Sequence, residues 1–259
     1  MFISFHLTLR QFYLIAFKTI VNYHHIMYYN NIYHFGDNTM LSLKKHPSLA
    51  ASPLPFGAVE VKYTLPDSWD IPAFRALVSE EIALLKENFP ADCYDRKAVW
   101  GENAYVRYFK RFKKTFPVML QFESVVLKGR PFPCFNPAAE VAFLAEITTF
   151  CLSGAHDADC IRGDVELYLA DTREDFEGMR ETLHTYPNDF CGRDSSGIIF
   201  SMIAGTDKRT CATNESRNVL YPVFCTADMP AEYIEKVMST IVRYAQTLCP
   251  DAEVNCRII

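Results

Sequence analysis

The chain has no C-x-x-C pair, although it carries nine cysteines among 259 residues. They stand singly at 93, 134, 151, 160, 191, 211, 225, 249 and 256, in or near apolar runs. Disulfides or a zinc site need a different spacing, so reduced, mostly buried thiols in the cytoplasm are expected. No stretch of about 18 uninterrupted apolar residues occurs, so no membrane span is expected. G-x-S-x-G, P-loop, dinucleotide and H-E-x-x-H patterns are also missing, which argues against a serine hydrolase, a kinase or a zinc protease. There is no internal repeat and no low-complexity tract. A net charge of −5 excludes an overall basic nucleic-acid binder but leaves local patches open.

What is present is ordinary for a globular chain, with 49% hydrophobic and 22% charged residues. The first 39 residues differ from the rest, holding four of the seven histidines and a dense mix of Phe, Tyr, Ile and Asn. Arg10, Gln11 and Lys18 break the apolar run and no small-residue cleavage site follows, so a signal peptide is not expected. A membrane-surface helix is disfavoured because the apolar residues do not settle on one face. Residues 1–39 are read as an upstream extension outside the fold, with Met40 as the natural start. Residues 40–259 are read as one domain whose first part is helical.

Alternation of Val59, Val61, Tyr63 and Leu65 predicts a strand over 58–65. Helices are predicted over 70–89, 98–112 and 116–128, after Pro137, and along the stripe Ile234, Val237, Met238, Ile241, Val242, Ala245 and Leu248. Strand signals cover 165–170, 197–203 and 219–224. Helices first, then strands, then a closing helix, predict an α+β fold.

The segment from Cys134 to Gly163 is the most informative. It sets Asn136 and Glu140 at one end of a small-residue helix and His156, Asp157 and Asp159 at the other. Polar groups at helix ends framed by apolar residues suit a small-molecule pocket. Glu123 falls in the apolar stripe Phe116, Met119, Leu120, Val126 and Leu127, where a carboxylate needs a partner. That partner could be a ligand amine, or an internal arginine or backbone amides. His156 could pair with Asp157 or Asp159 as base and orienter, although Asp-rich loops more often form Asx turns. The turn 205–210 could hold an anion or simply connect strands. Between Lys97 and Arg130 lie eight cations against Glu102 and Glu123. Within it, Arg107, Lys110, Arg111, Lys113 and Lys114 interleave with Tyr105, Tyr108, Phe109 and Phe112. Cations suit phosphates and aromatics suit unstacked bases; an amphipathic solvated face reads the same way.

Taken in order, these pieces resemble the B3/4 domain, the editing domain of the phenylalanyl-tRNA synthetase beta subunit, in stand-alone form. The series runs through Tyr105 to Lys113, Glu123, Phe135-Asn136-Pro137 with Glu140, Gly154 to Gly163, Val165 to Ala170, Ser196 to Gly205, and Thr213 to Leu220. The resemblance implies a β-sandwich flanked by helices, with a pocket between sheet and helices. It also implies a tRNA or aminoacyl-tRNA partner, or a small amino-acid-like ligand, with no cofactor, metal, DNA or membrane. The family's domain hydrolyses tyrosine wrongly esterified to tRNA, relying on the terminal hydroxyl and an ordered water. Pocket residues carried over are Glu123, Asn136, Glu140, His156 and Gly205, and RNA-phosphate residues are Arg107, Lys110, Arg111, Lys113 and Lys114. Two positions depart. Gly154 stands where the family has a histidine, and Pro222 where it has the glutamate that reads the tyrosine hydroxyl. The scaffold carries over; tyrosine specificity does not. The synthetase's aminoacylation modules are missing, so charging of tRNA is not expected. A sensor that has lost editing, or unrelated chemistry on the same scaffold, are the alternatives.

Overall fold

The computed structural model describes residues 41–259 except 51–53 and 135. The segment 1–39 and Phe135 therefore lie outside the described residues. The strands are β1 (Leu43–Lys45), β2 (Phe56–Lys62), β3 (His156–Asp157), β4 (Val165–Leu169), β5 (Asp175–Glu177), β6 (Thr182–His184), β7 (Phe190–Asp194), β8 (Gly197–Ser201), β9 (Gly205–Thr206), β10 (Asn218–Phe224) and β11 (Glu253–Ile258). The helices are α1 (Ile71–Asn88), α2 (Arg96–Trp100), α3 (Ala104–Arg111), α4 (Pro117–Phe122), α5 (Pro137–Thr149) and α6 (Ala231–Leu248). The content is α+β, and no described helix is long and apolar enough to cross a membrane.

One sheet has the order β1-β4-β7-β8-β9, another β11-β2-β10-β3, and β5-β6 form a separate hairpin. Among the described strands, only β1 and β4 pair in parallel. In the four-stranded sheet, β10 runs antiparallel to β2 from Asn218↔Lys62 to Phe224↔Phe56. Successive side chains of a strand point to opposite faces. Phe224 and its partner Phe56 meet Phe200 of the five-stranded sheet, with centroids 4.9 and 6.0 Å apart. On the opposite face, Val223 lies beside Gly57, whose absent side chain leaves room for Ile234 and Met238 of α6. Tyr221 on that same face donates to Ala138 O at the start of α5 (2.9 Å). The strand is thus buried on both sides, and alternation along it decides which residues meet helices and which meet the other sheet.

Caps explain most helix boundaries. Asp70 accepts from Ala73 N at the start of α1, and Asn136 from Ala138 N at the start of α5. The single helix expected over 98–112 is two. Gly101 ends α2, and Asn103 turns out to cap α3 through Val106 N (3.1 Å). The helix expected over 116–128 is α4 continued by one π-turn over Glu123–Leu127. The long stripe of α6 is buried as expected at Ile234, Val237, Met238, Ile241, Ala245 and Leu248. All nine cysteines are free, with Cys151, Cys191, Cys225 and Cys249 buried and Cys93 and Cys134 exposed.

Past α5, Phe150 adopts a left-handed conformation (φ 60°) that turns the chain back toward β10. Glu146 accepts from Ser153 N (3.0 Å), and Ser153 Oγ donates to Pro222 O (2.7 Å). Burial pushes the Glu146 carboxyl up to about 8, against the lowering by the Ser153 amide. The folded chain keeps a proton that the unfolded chain sheds near its ordinary value of about 4.3. This contribution to stability is full below that value and is lost as pH rises toward about 8. Urea denaturation across that window is expected to show the decline in the wild type and a flatter course in Glu146→Gln. Parallel courses contradict the assignment.

Candidate functional site

The segment following α5 runs beside β10 in one register. Leu152 bridges Phe224, and β3 pairs His156↔Leu220 and Asp157↔Val219. That register sets Gly154 opposite Pro222. Proline has no N–H to donate, so the ladder has no rung from that residue. The two departures noted in sequence therefore face each other. A Cβ built on Gly154 would lie 3.7 Å from Thr206 Oγ1, 3.8 Å from His156 Nε2 and 3.8 Å from Pro222 Cγ. These are ordinary contact distances, so the gap has room for a methyl group or a water molecule.

His156 lies beneath this gap, fully buried, its ring against the edge of Phe200 (centroids 5.7 Å). Burial lowers its pKa to about 4, so the imidazole is neutral at physiological pH. Nδ1 lies 2.9 Å from Thr210 Oγ1. The Thr210 hydroxyl donates to Asp207 Oδ1, which also accepts from Thr210 N (3.2 Å). The hydroxyl proton being committed to the carboxylate, its lone pair is left to accept from Nδ1–H. The ring is then the Nδ1–H tautomer and Nε2 carries the lone pair. Nε2 is buried without a hydrogen-bond partner. Such a group is costly unless a ligand or water completes it.

The turn 205–210 thus has a definite task. Burial raises the pKa of Asp207, and the Thr210 bonds and Arg209 only partly oppose this. Arg209 forks onto Asp194 (2.9 Å to each oxygen), with its Nε 3.7 Å from Asp207. Gly205 is exposed, and its φ of 108° is what requires glycine, since a Cβ there would meet nothing within 4 Å. Its neighbour Thr206, not Gly205, lines the gap. In sequence, Thr206, Asp207 and Thr210 were read only as part of a turn that could hold an anion or connect strands, with no link to His156. The Asp207-x-x-Thr210 spacing of a side-chain-capped turn was the signal available.

The acidic neighbours of His156 do not orient it. Asp157 accepts from Ser216 Oγ (2.6 Å) and Asp159 N (3.0 Å), and Asp159 accepts from Asn218 Nδ2 (2.7 Å). They tie the loop down instead. The expected convergence of Asn136, Glu140 and His156 in one pocket needs correction. Asn136 and Glu140 belong to the start of α5, which meets the Tyr221 face of β10. His156, paired with Leu220, shares the opposite face with Pro222. Asn136 caps α5 and keeps an unpartnered buried Nδ2. Glu140 is ion-paired with Arg75. Glu123 takes the internal-arginine role. Arg96 binds both its oxygens and Tyr94 OH donates to one (2.9 Å). Burial raises the Glu123 pKa, but these bonds outweigh it and hold the carboxyl below its usual range.

The basic stretch divides cleanly. Tyr105, Tyr108 and Phe109 are buried and so offer no stacking platform, while all five cations are exposed. Arg107 is paired with Asp228 and lies 3.9 Å from Glu102. Arg111 lies over Tyr108 (4.4 Å) and Lys114 over Tyr186 (5.6 Å). Lys113, two residues past α3, is in a left-handed conformation (φ 56°).

No protein-family model matches the chain. No curated protein matches it either. Among solved structures it is similar to an N-terminal fragment of the phenylalanyl-tRNA synthetase beta subunit from Pyrococcus horikoshii, at 10% identity and a TM-score of 0.44. The similarity covers 86% of this chain and 52% of that one, so the chain spans about half the fragment's length.

Nitrogen-15 NMR of the histidine ring tests the site directly. His156 is expected to show a protonated Nδ1 and a bare Nε2 from neutral pH down to about 4. A proton on Nε2 at neutral pH contradicts the arrangement.

Proposed function

We propose that this chain is a stand-alone B3/4-type module that takes the aminoacylated 3′ end of a tRNA at the gap between Gly154 and Pro222. The observation that carries this reading is the buried, unpartnered Nε2 of His156, which offers one acceptor to a hydroxyl or amine entering beside Thr206. Two further features support it. The ordered sequence resemblance covers most of the chain after Met40, and the cations Lys110, Arg111, Lys113 and Lys114 stand exposed on and just after α3. They would hold phosphates, with base stacking left to half-buried Tyr186 rather than to the aromatics of α3. The reading includes a β-sandwich flanked by helices. It places the protein in the cytoplasm, in keeping with its nine free thiols.

Replacement of the family's polar pair by Gly154 and Pro222 argues for an amino acid other than tyrosine. A side chain entering this gap would meet the Pro222 ring and the Thr206 hydroxyl, which favours a small one. The second reading is an amino-acid or metabolite module without tRNA. It is favoured by the pairing of Arg107 with Asp228 and by the inward turn of Tyr105, Tyr108 and Phe109.

Salt separates the two. Affinity for tRNA is expected to fall steeply as salt rises, with a logarithmic slope of about 0.7 per single-strand phosphate contact. The combined change Lys110→Ala, Lys113→Gly and Lys114→Ala should reduce that slope by about 2, three contacts' worth. Binding of free amino acids with no detectable tRNA affinity at low salt supports the second reading.

A further inference from the structure

We propose that His156 is a general base for ester hydrolysis, with Thr210 and Asp207 as the residues that position it. The proposal rests on the reading above, that an aminoacyl end enters the Gly154–Pro222 gap, and adds a chemistry to it.

The geometry is a chain of three groups from two parts of the fold. Asp207 follows β9, Thr210 closes the same turn, and His156 stands on β3. Each link has one direction. The Asp207 carboxylate accepts the Thr210 hydroxyl, and that hydroxyl accepts Nδ1–H at 2.9 Å. The backbone fixes the same placement, since His156 bridges Cys211 and Asp157 N donates to Thr210 O (2.7 Å). The ring cannot turn over without losing the Thr210 bond and its edge contact with Phe200. A histidine kept only for packing would present both nitrogens to partners. Here Nε2 is left bare at the one place where Gly154 leaves space and Thr206 Oγ1 stands opposite. A water there would lie between Nε2 and the Thr206 hydroxyl.

The step balances with water alone. The water oxygen adds to the acyl carbon while its proton passes to Nε2. The Thr210–Asp207 pair holds the ring's tautomer and orientation as the proton arrives. The tetrahedral intermediate then collapses with cleavage of the carbon–oxygen bond to the ribose, and Nε2–H gives its proton to the departing alkoxide. The products are a free amino acid and a 3′-hydroxyl. Positioned proton transfer of this kind contributes on the order of 100-fold or more in rate.

Cys211 pairs with His156 across the backbone bridge, and Arg209 lies beyond Asp207. With the imidazole pKa near 4, the rate should be level from about pH 5.5 upward, where an ordinary histidine, with a pKa of about 6.5, would impose a rise.

The test uses the full chain with two probes: alanyl-, seryl- and tyrosyl-tRNA for hydrolysis, and the non-hydrolysable 3′-alanylamido-adenosine for binding. The wild type is expected to bind the amide and to accelerate release of at least one amino acid. Thr210→Val should lower kcat on the order of 100-fold with little change in KM or amide binding, and Thr210→Ser should restore most of it. His156→Gln should lose the same acceleration. Amide binding without hydrolysis of any ester overturns the general base and leaves the binding reading standing. Wild-type turnover by Thr210→Val also overturns it. Failure to bind the amide or any of the tRNAs overturns both.

Discussion

Burial of β10 on both faces is the constraint from which the site follows. From Val219 to Phe224 no side chain reaches solvent. Leu220, Pro222 and Phe224 must be filled against by one set of neighbours, and Val219, Tyr221 and Val223 by another. A proline is tolerated in so enclosed a strand only where its missing N–H faces a break in pairing. Gly154 supplies that break, and the glycine and proline together open the gap above His156. Large side chains at both positions would close it.

Within this frame, most buried polar groups are satisfied internally, and this explains why the residues that looked functional in sequence turn out to differ in kind. Glu123 and Glu140 are held by Arg96 and Arg75, as burial of a carboxylate demands. Asp189 is likewise enclosed by Tyr108 (2.9 Å) and Ser201, and burial pushes it up to about 6 despite those bonds. Glu140 ties α5 to α1 and Glu123 ties the end of α4 to α2, while Asp189 ties α3 to the five-stranded sheet. His156 differs because only one of its nitrogens is engaged, and the engaged one is fixed by a carboxylate two groups away.

Much of this architecture was legible in sequence. The stripes of α1 and α6 and the alternation in β2 were readable because burial on one helix face, or on alternate strand positions, leaves a periodic trace, and β10 was readable as an unbroken apolar run, the mark of a strand buried on both faces. β7 and β11 were not. β7 carries Gly192 and a register shift between Gly192 and Arg193, which disrupts alternation, and β11 is only half-buried along its length. The segment 134–163 was read as bringing its polar residues into a single pocket, which its two ends do not form. Its two ends lie on opposite faces of β10, a distinction that needs the cross-strand register. The relay through Thr210 to Asp207 was invisible for the same reason, since it joins residues about 50 positions apart in sequence through a tertiary pairing.

The central claim is that the gap under Gly154 receives a ligand and that Nε2 of His156 is the group that meets it. The most direct measurement is a crystal structure of the full chain with 3′-alanylamido-adenosine bound. The account predicts the aminoacyl end beside Thr206 and Pro222, with a donor of the ligand or one bridging water within hydrogen-bond distance of Nε2. The analogue bound elsewhere, with the gap closed over His156 or filled by a side chain, contradicts it.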